Sequence, residues 1–272
     1  MAKQTMNDTS LIGFLDDDEV LRIEDLEVSF RTEDGRLKAV NKANLSLKRF
    51  ETLGLIGESG CGKSVTARSV LRIIADNGRI DGGRILYRKS DDQVVDLAQL
   101  DPHGEEIRQI RGGEIGIVFQ EPMTSLSPVH SIGNQIMEGI LLHVTEDKEE
   151  AYDIALDMLT RVGIANPEQR LEEYPHQLSG GMRQRALIAL ALACRPNILI
   201  ADEPTTALDV TIEAQILDLM EHLQHQFDMS IIHVTHDMGV IAEVSDYVAV
   251  MYLGRVIEYA SVEGLFGNPL HP

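Results

Sequence analysis

The chain has 272 residues, 43% hydrophobic and 25% charged, enough for one sizeable α/β domain with an appended or inserted subdomain, or for two small domains. Its 24 Lys and Arg against 44 Asp and Glu leave a formal charge of −20, a surface that repels nucleic acid and anionic lipid and leaves membrane attachment to a protein partner. The longest uncharged apolar run, 186–194, is about half of a bilayer span, residues 1–18 hold no apolar core fit for a signal peptide, and Cys61 and Cys194 give no disulfide framework, so a cytosolic chain is expected.

Leu26, Val28 and Phe30 alternate with polar residues, as do Ala43, Leu45 and Leu47, and Gly35 lies between the two runs. Two antiparallel strands are expected. The short apolar run Thr52–Ile56 leads into Gly57-Glu58-Ser59-Gly60-Cys61-Gly62-Lys63-Ser64, which fits G-x-x-x-x-G-K-[ST] in full, and a helix with Val65, Val70, Leu71 and Ile74 on its apolar positions is expected over 63–74. Strand, glycine loop and helix in that order are the context a phosphate-binding loop requires. The N–H groups of 60–64 would wrap a β-phosphate, Lys63 would neutralise β and γ oxygens, and the Ser64 hydroxyl would ligate Mg²⁺. Cys61 lies inside the loop, where alkylation would fill space meant for phosphate and bound nucleotide would protect it.

Buried strands are expected at 115–119, 198–201 and 231–234, aliphatic or β-branched throughout as in a sheet covered on both faces. The stretch 121–177 changes to amphipathic helix, with Ile154, Leu156, Met158, Leu159 and Val162 in one segment, and interrupts the strand series as a helical insertion. Ile216, Leu219, Met220, Leu223 and Phe227 predict a second long helix from Ile212 onward. Val248–Tyr252, Gly254 and Val256–Tyr259 read as a terminal hairpin.

Four positions at or just beyond these strands carry phosphoryl-transfer chemistry. Asp202 and Glu203 end a hydrophobic strand, where open α/β sheets place their ligands; Asp202 suits a water-mediated hold on Mg²⁺ and Glu203 the deprotonation of an attacking water. Gln120 could reach metal and water, and His236 could donate to a γ-phosphate and sense its loss. A second anion site is expected at Leu178-Ser179-Gly180-Gly181-Met182, where Ser179 can cap a helix whose first-turn N–H groups face outward and whose glycines leave the approach open. Two separate phosphate grips on one chain suggest a nucleotide sandwiched between two such proteins. Asp209, in Ala207-Leu208-Asp209, could bond across that interface, and Phe30 could stack on an adenine. The remaining histidines, His130, His143, His222, His225 and His233, are expected at the surface or satisfied in the core.

In this order the motifs resemble the nucleotide-binding subunit of ABC transporters over almost the whole chain. Gln120-Glu121-Pro122-Met123-Thr124-Ser125-Leu126, Tyr174-Pro175-His176-Gln177-Leu178-Ser179-Gly180-Gly181-Met182-Arg183-Gln184-Arg185 and Ala201-Asp202-Glu203-Pro204-Thr205-Thr206-Ala207-Leu208-Asp209 narrow this to a likeness with the D-type ATPase of dipeptide, oligopeptide and nickel importers. The resemblance implies a P-loop NTPase (RecA-like) α/β core with an N-terminal antiparallel β-subdomain and an inserted helical subdomain of about 121–178, within a nucleotide-binding domain of 20–272 after a tail of 1–19. It implies ATP and Mg²⁺ as cofactors, with nucleotide contacts from Phe30, Gly57 to Val65, Ser179, Gly180, Gly181 and Asp209. Metal contacts would come from Ser64, Gln120 and Asp202.

It also implies a heterodimer with a second, F-type ATPase subunit in which each signature serine closes the partner's site. Two membrane permease subunits would lie against 120–128 and 172–176, an extracytoplasmic solute-binding protein would act indirectly, and the chain would be peripheral at the cytoplasmic face of the inner membrane. Ser127 stands where such proteins usually carry asparagine. They also continue for tens of residues beyond the equivalent of Pro272, so a shortened form lacking a C-terminal extension is expected. A rival reading, an ABC-type ATPase of nucleic-acid maintenance or translation, would need a long coiled coil or basic arm between Gln120 and Ser179 and would not carry so acidic a surface.

Overall fold

The computed structural model describes residues 9–91, 93–120, 122–206 and 208–271. Part of the expected N-terminal tail, Glu121 at the start of the expected insertion, Ala207 and Pro272 therefore lie outside the described residues.

In chain order the strands are β1 Glu19–Thr32, β2 Gly35–Lys48, β3 Thr52–Ile56, β4 Gly78–Ser90, β5 Gln93–Asp96, β6 Ile115–Val118, β7 Ile198–Asp202, β8 Ser230–Thr235, β9 Tyr247–Tyr252 and β10 Arg255–Ser261. The helices are α1 Lys63–Val70, α2 Glu105–Ile110, α3 Pro122–Ser125, α4 Ile132–His143, α5 Lys148–Arg161, α6 Pro167–Glu172, α7 Gly180–Leu192, α8 Val210–Phe227, α9 Met238–Val244 and α10 Val262–Gly267. They group into two compact units, 1–107 with 232–272, and 108–231. The architecture is a mixed α/β fold with antiparallel and parallel sheet, as the sequence led us to expect.

In the first unit β2, β1, β4 and β5 form an antiparallel sheet in that order. Leu26 stands opposite Ala43 and Val28 opposite Val40, so the two alternating runs meet on one buried face. The strands β4 and β5 were not foreseen, and β4 shows why. Ile85, Leu86, Tyr87 and Arg88 are buried in succession, because Leu15 and Leu11 pack with Leu86 and Val94 on a satellite cluster. Burial on both faces erases the period of two that marks a strand. The Arg88 guanidinium is satisfied there by the carbonyls of Glu19 at 2.9 Å and Asp16 at 2.8 Å.

The same unit holds β10, β9, β3 and β8 as sheet neighbours, with β3 parallel to β9 in the register Leu53 to Tyr247 through Ile56 to Val250. All of β3 is buried, and Ile56, Ile241, Val248 and Leu265 form a core cluster. Helix α1 is shorter than expected, ending at Val70 instead of Ile74. Arg72 turns left-handed at φ 57°, Ile73 N–H donates back to the Arg68 carbonyl at 3.0 Å, and the Arg72 guanidinium bonds the Ala98 carbonyl at 2.6 Å. A Schellman-like end fixed by a distant acceptor overrides the local helical pattern.

In the second unit β6 and β7 pair in parallel, Ile115 with Ile198 through Val118 with Ala201. Its core draws on Ile132, Ile136 and Ile140 of α4, and on Ala151, Ala155, Met158 and Leu159 of α5. Ile154 and Leu156 of the same segment are half-buried and pack against this core, while the fully buried 3.6-residue stripe runs through the two alanines. Helix α8 starts two residues before Ile212, its first turn capped by Asp209, and buries Ile216, Leu217, Met220 and Leu223 while Leu219 and Phe227 stay half-buried. Between Gln120 and Ser179 the longest described helix is α5, with 14 residues, so the long coiled coil that the nucleic-acid reading requires is not among the described residues. Nor, among them, is any helix long and apolar enough to cross a membrane.

Candidate functional site

The loop 57–62 joins β3 to α1 in the first unit. Glu58, Ser59 and Gly60 are exposed, Ser64 and Val65 are half-buried in the first turn of α1, and Lys63 is buried. Its ammonium turns into the loop, donating to the carbonyls of Gly57 at 2.7 Å and Glu58 at 3.0 Å. The loop rests on the β9–β10 hairpin. A side chain at Gly57 would collide with the Met251 carbonyl and stand 2.8 Å from the Cys61 sulfur. The Gly254 N–H donates to the Cys61 carbonyl at 2.8 Å, and the Gly254 carbonyl accepts from Asn41 N–H at 2.7 Å. Cys61 is therefore 6% exposed, with its sulfur packed under Gly57 of the loop. Met251, Gly254 and Asn41 were not foreseen as parts of this site. Their only sequence signal is the glycine in the hairpin turn, where Leu253 and Gly254 both take positive φ, 46° and 78°.

Also in this unit, β8 delivers His236 just past its end, exposed, with Asp237 next to it capping α9 through the N–H groups of Gly239 and Val240. Phe30 is half-buried on β1, its ring over Gly78 of the paired strand β4. His233, on β8, corrects another expectation. It is neither at the surface nor satisfied: it is buried, both ring nitrogens lack a hydrogen-bond partner among the described residues, and desolvation pushes its pKa down to about 4.

In the second unit the parallel register of β6 and β7 brings Gln120 and Glu203 together. The Gln120 amide donates to Glu203 Oε2 at 2.9 Å, and the Thr206 hydroxyl donates to the same oxygen at 3.1 Å. Glu203 itself is left-handed at φ 48°, a conformation costing roughly 1–2 kcal/mol for a residue with a Cβ. Strained backbone of this kind persists where the surroundings over-determine it. Asp202, the last residue of β7, is wholly buried. One turn on, the Thr205 hydroxyl donates to Glu213 Oε1 at 2.6 Å in the first turn of α8.

Ser179 caps α7 as expected, accepting from Met182 N–H at 3.3 Å, and Ser179 and Gly180 are exposed. A side chain on Gly181 would press on Ile212 at 3.2 Å. The approach segment is held by Arg183, whose guanidinium bonds the Pro175 carbonyl at 2.7 Å. The Asp209 carboxylate accepts from Ile212 N–H at 3.0 Å and so serves α8 as its N-cap. Among the described residues no group of three or more His, Cys, Asp and Glu could hold a metal.

A glycine loop with its lysine between a buried strand and a helix, together with an Asp-Glu strand end, defines a P-loop nucleotide hydrolase of mixed α/β build. Comparison with known proteins places it more closely. The chain belongs to the ABC transporter family, whose sequence model matches residues 40–206, and it is an ABC-type ATPase that binds ATP. It is 52% identical to a peptide import ATP-binding protein of Brucella abortus over 254 residues, 93% of this chain and 75% of that one. It is 49% identical to a glutathione import ATP-binding protein of Salmonella typhimurium, covering 95% of this chain and 41% of that longer protein. Among solved structures it resembles an ATP-binding cassette captured as a dimer after hydrolysis with ADP and Pi, at TM-score 0.77 and 25% identity over 89% of this chain and 98% of that one. It also resembles cbiO1 of the Clostridium perfringens cbiONQ transporter complex, at TM-score 0.75 and 29% identity over 92% of each.

Proposed function

We propose that this chain is the ATP-hydrolysing subunit that powers import of di- or oligopeptides, or a related solute, through separate membrane permease subunits. The observation that carries the hydrolytic part is the Glu203 carboxylate, held by Gln120 beside buried Asp202. The likeness to peptide importer subunits over more than nine-tenths of the chain supports the solute class.

On this reading Lys63 leaves the carbonyls of Gly57 and Glu58 to partner β and γ oxygens, while the N–H groups of 60–64 cradle the β-phosphate. Phe30 faces the adenine. Glu203 takes the proton of the attacking water, Gln120 orients that water, and His236 donates to the γ-phosphate. Ser64 in the first unit offers a hydroxyl oxygen, and Gln120 and Asp202 in the second offer amide and carboxylate oxygens, each a hard donor of the kind that Mg²⁺ takes. The ion, when bound, would neutralise charge on the phosphates. Ser179, Gly180 and Gly181 at the start of α7, with Asp209, would face the nucleotide of a second ATPase subunit, so that each subunit completes the other's site. That second subunit would be an F-type ATPase subunit. The permease pair would hold the chain at the cytoplasmic face of the inner membrane, with an extracytoplasmic binding protein supplying solute.

Reconstitution with the cognate permeases and second ATPase tests this. Peptide uptake that requires ATP and is lost with Lys63→Ala is expected; ATP hydrolysis indifferent to permeases and peptide would overturn it.

A further inference from the structure

The turn after β7 holds more than the Asp-Glu pair. Glu203 has a long side chain with several rotatable bonds, and a carboxylate that must meet one water needs its rotamers restrained. Two donors converge on one of its oxygens: the Gln120 amide at 2.9 Å and the Thr206 hydroxyl at 3.1 Å, both on Oε2. The turn closes on itself, with Thr206 N–H donating to the Glu203 carbonyl at 3.3 Å and Leu208 N–H to the Thr205 carbonyl at 3.1 Å. The neighbouring threonine points the other way. Thr205 Oγ1 donates to Glu213 Oε1 at 2.6 Å, and Glu213 lies in the first turn of α8, its N–H bonded to the carbonyl of the capping Asp209 at 2.9 Å.

We propose that Thr206 is a positioning residue for Glu203, clamping its carboxylate together with Gln120, and that Thr205, through Glu213, fixes the turn that carries this clamp to the start of α8. The inference rests on the reading of Glu203 as the group that activates water. Thr206 acts through Glu203 and does not touch the reacting atoms. Removing its hydroxyl widens the carboxylate's range of orientations, which lowers turnover more than nucleotide binding.

The experiment compares Thr206→Val, Thr206→Ser, Thr205→Val and Glu203→Gln in the full chain by steady-state ATP hydrolysis, with thermal melting as a control. For Thr206→Val we expect kcat to fall about tenfold and ATP KM to stay within about twofold, at unchanged melting temperature. Thr206→Ser, which keeps the hydroxyl, should restore the rate, and Thr205→Val should give a weaker loss of kcat. Should Thr206→Val not fold, Thr206→Ala reads the same split between kcat and KM. A Thr206→Val enzyme with parental kcat, or a loss of kcat that Thr206→Ser fails to rescue, overturns the clamp while an inactive Glu203→Gln leaves the base reading standing. If Glu203→Gln turns over within a few-fold of the parent, the base reading itself fails and the clamp with it.

Discussion

The Gln120 amide bonds Glu203 Oε2 at 2.9 Å, across 83 residues of chain. Each residue stands two positions beyond a register pair, Val118 opposite Ala201, so the parallel pairing of β6 and β7 is what makes the contact. Such a contact ties the position of Gln120, at the mouth of the helical stretch that follows, to the orientation of the carboxylate.

Replacing Glu203 by glutamine keeps shape and removes the base. Turnover should fall by roughly 10²–10⁴-fold while nucleotide affinity stays near parental. Single-turnover phosphate release together with equilibrium binding of labelled ATP checks this, and hydrolysis within a few-fold of the parent would remove Glu203 from the chemistry.

Gly254 supports the phosphate loop from outside any nucleotide motif. Its φ is 78°, and a Cβ there would stand 2.8 Å from the Ala39 carbonyl. Gly254→Ala should cost roughly 1–2 kcal/mol from backbone conformation alone, with the contact adding to it, and should disturb the bond from Gly254 N–H to the Cys61 carbonyl. A lower melting temperature and a several-fold weaker affinity for ATP are expected from calorimetry. Parental affinity would show that the hairpin does not shape the loop.

His233 gives stability a defined acid dependence. Burial holds its pKa near 4 against an ordinary 6.5, so the folded chain keeps the ring neutral while the unfolded chain takes up a proton as pH drops below 6.5. The contribution is intact above about pH 6.5 and lost progressively as pH falls toward 4, by up to about 3 kcal/mol at about 1.4 kcal/mol per pH unit. His233→Leu should flatten that part of the melting-temperature profile and raise stability near pH 5, since it also removes two unpartnered buried nitrogens. An unchanged acid slope would place the proton uptake elsewhere.

Both thiols should react slowly in the folded chain. Cys61 is buried beneath the loop, and desolvation pushes the Cys194 thiol up to about 11, leaving little thiolate at neutral pH. Modification of Cys61 should follow opening of the loop, and Mg-ATP should slow it further; mass spectrometry after timed alkylation reads both sites. Rapid labelling of Cys61 that ATP does not affect would contradict the packing of its sulfur under Gly57.

What the sequence by itself determined is whatever depends on residues close together in the chain. The glycine loop between β3 and α1, the Ser179 cap on α7 and the Asp-Glu end of β7 are each legible because backbone sterics, capping and strand burial act over a few residues. The tertiary structure alone decided where local rules compete with distant partners. Helix α1 stops at Val70 because the Arg72 guanidinium finds a carbonyl 26 residues away, and β4 loses its alternation because a satellite cluster covers its second face. His233 sits unsatisfied among apolar strands, which no spacing announces. The loop's footing on Met251 and Gly254, and the meeting of Gln120, Thr206 and Glu203, follow from strand register, which is set by the packing of whole sheets rather than by any short run of residues.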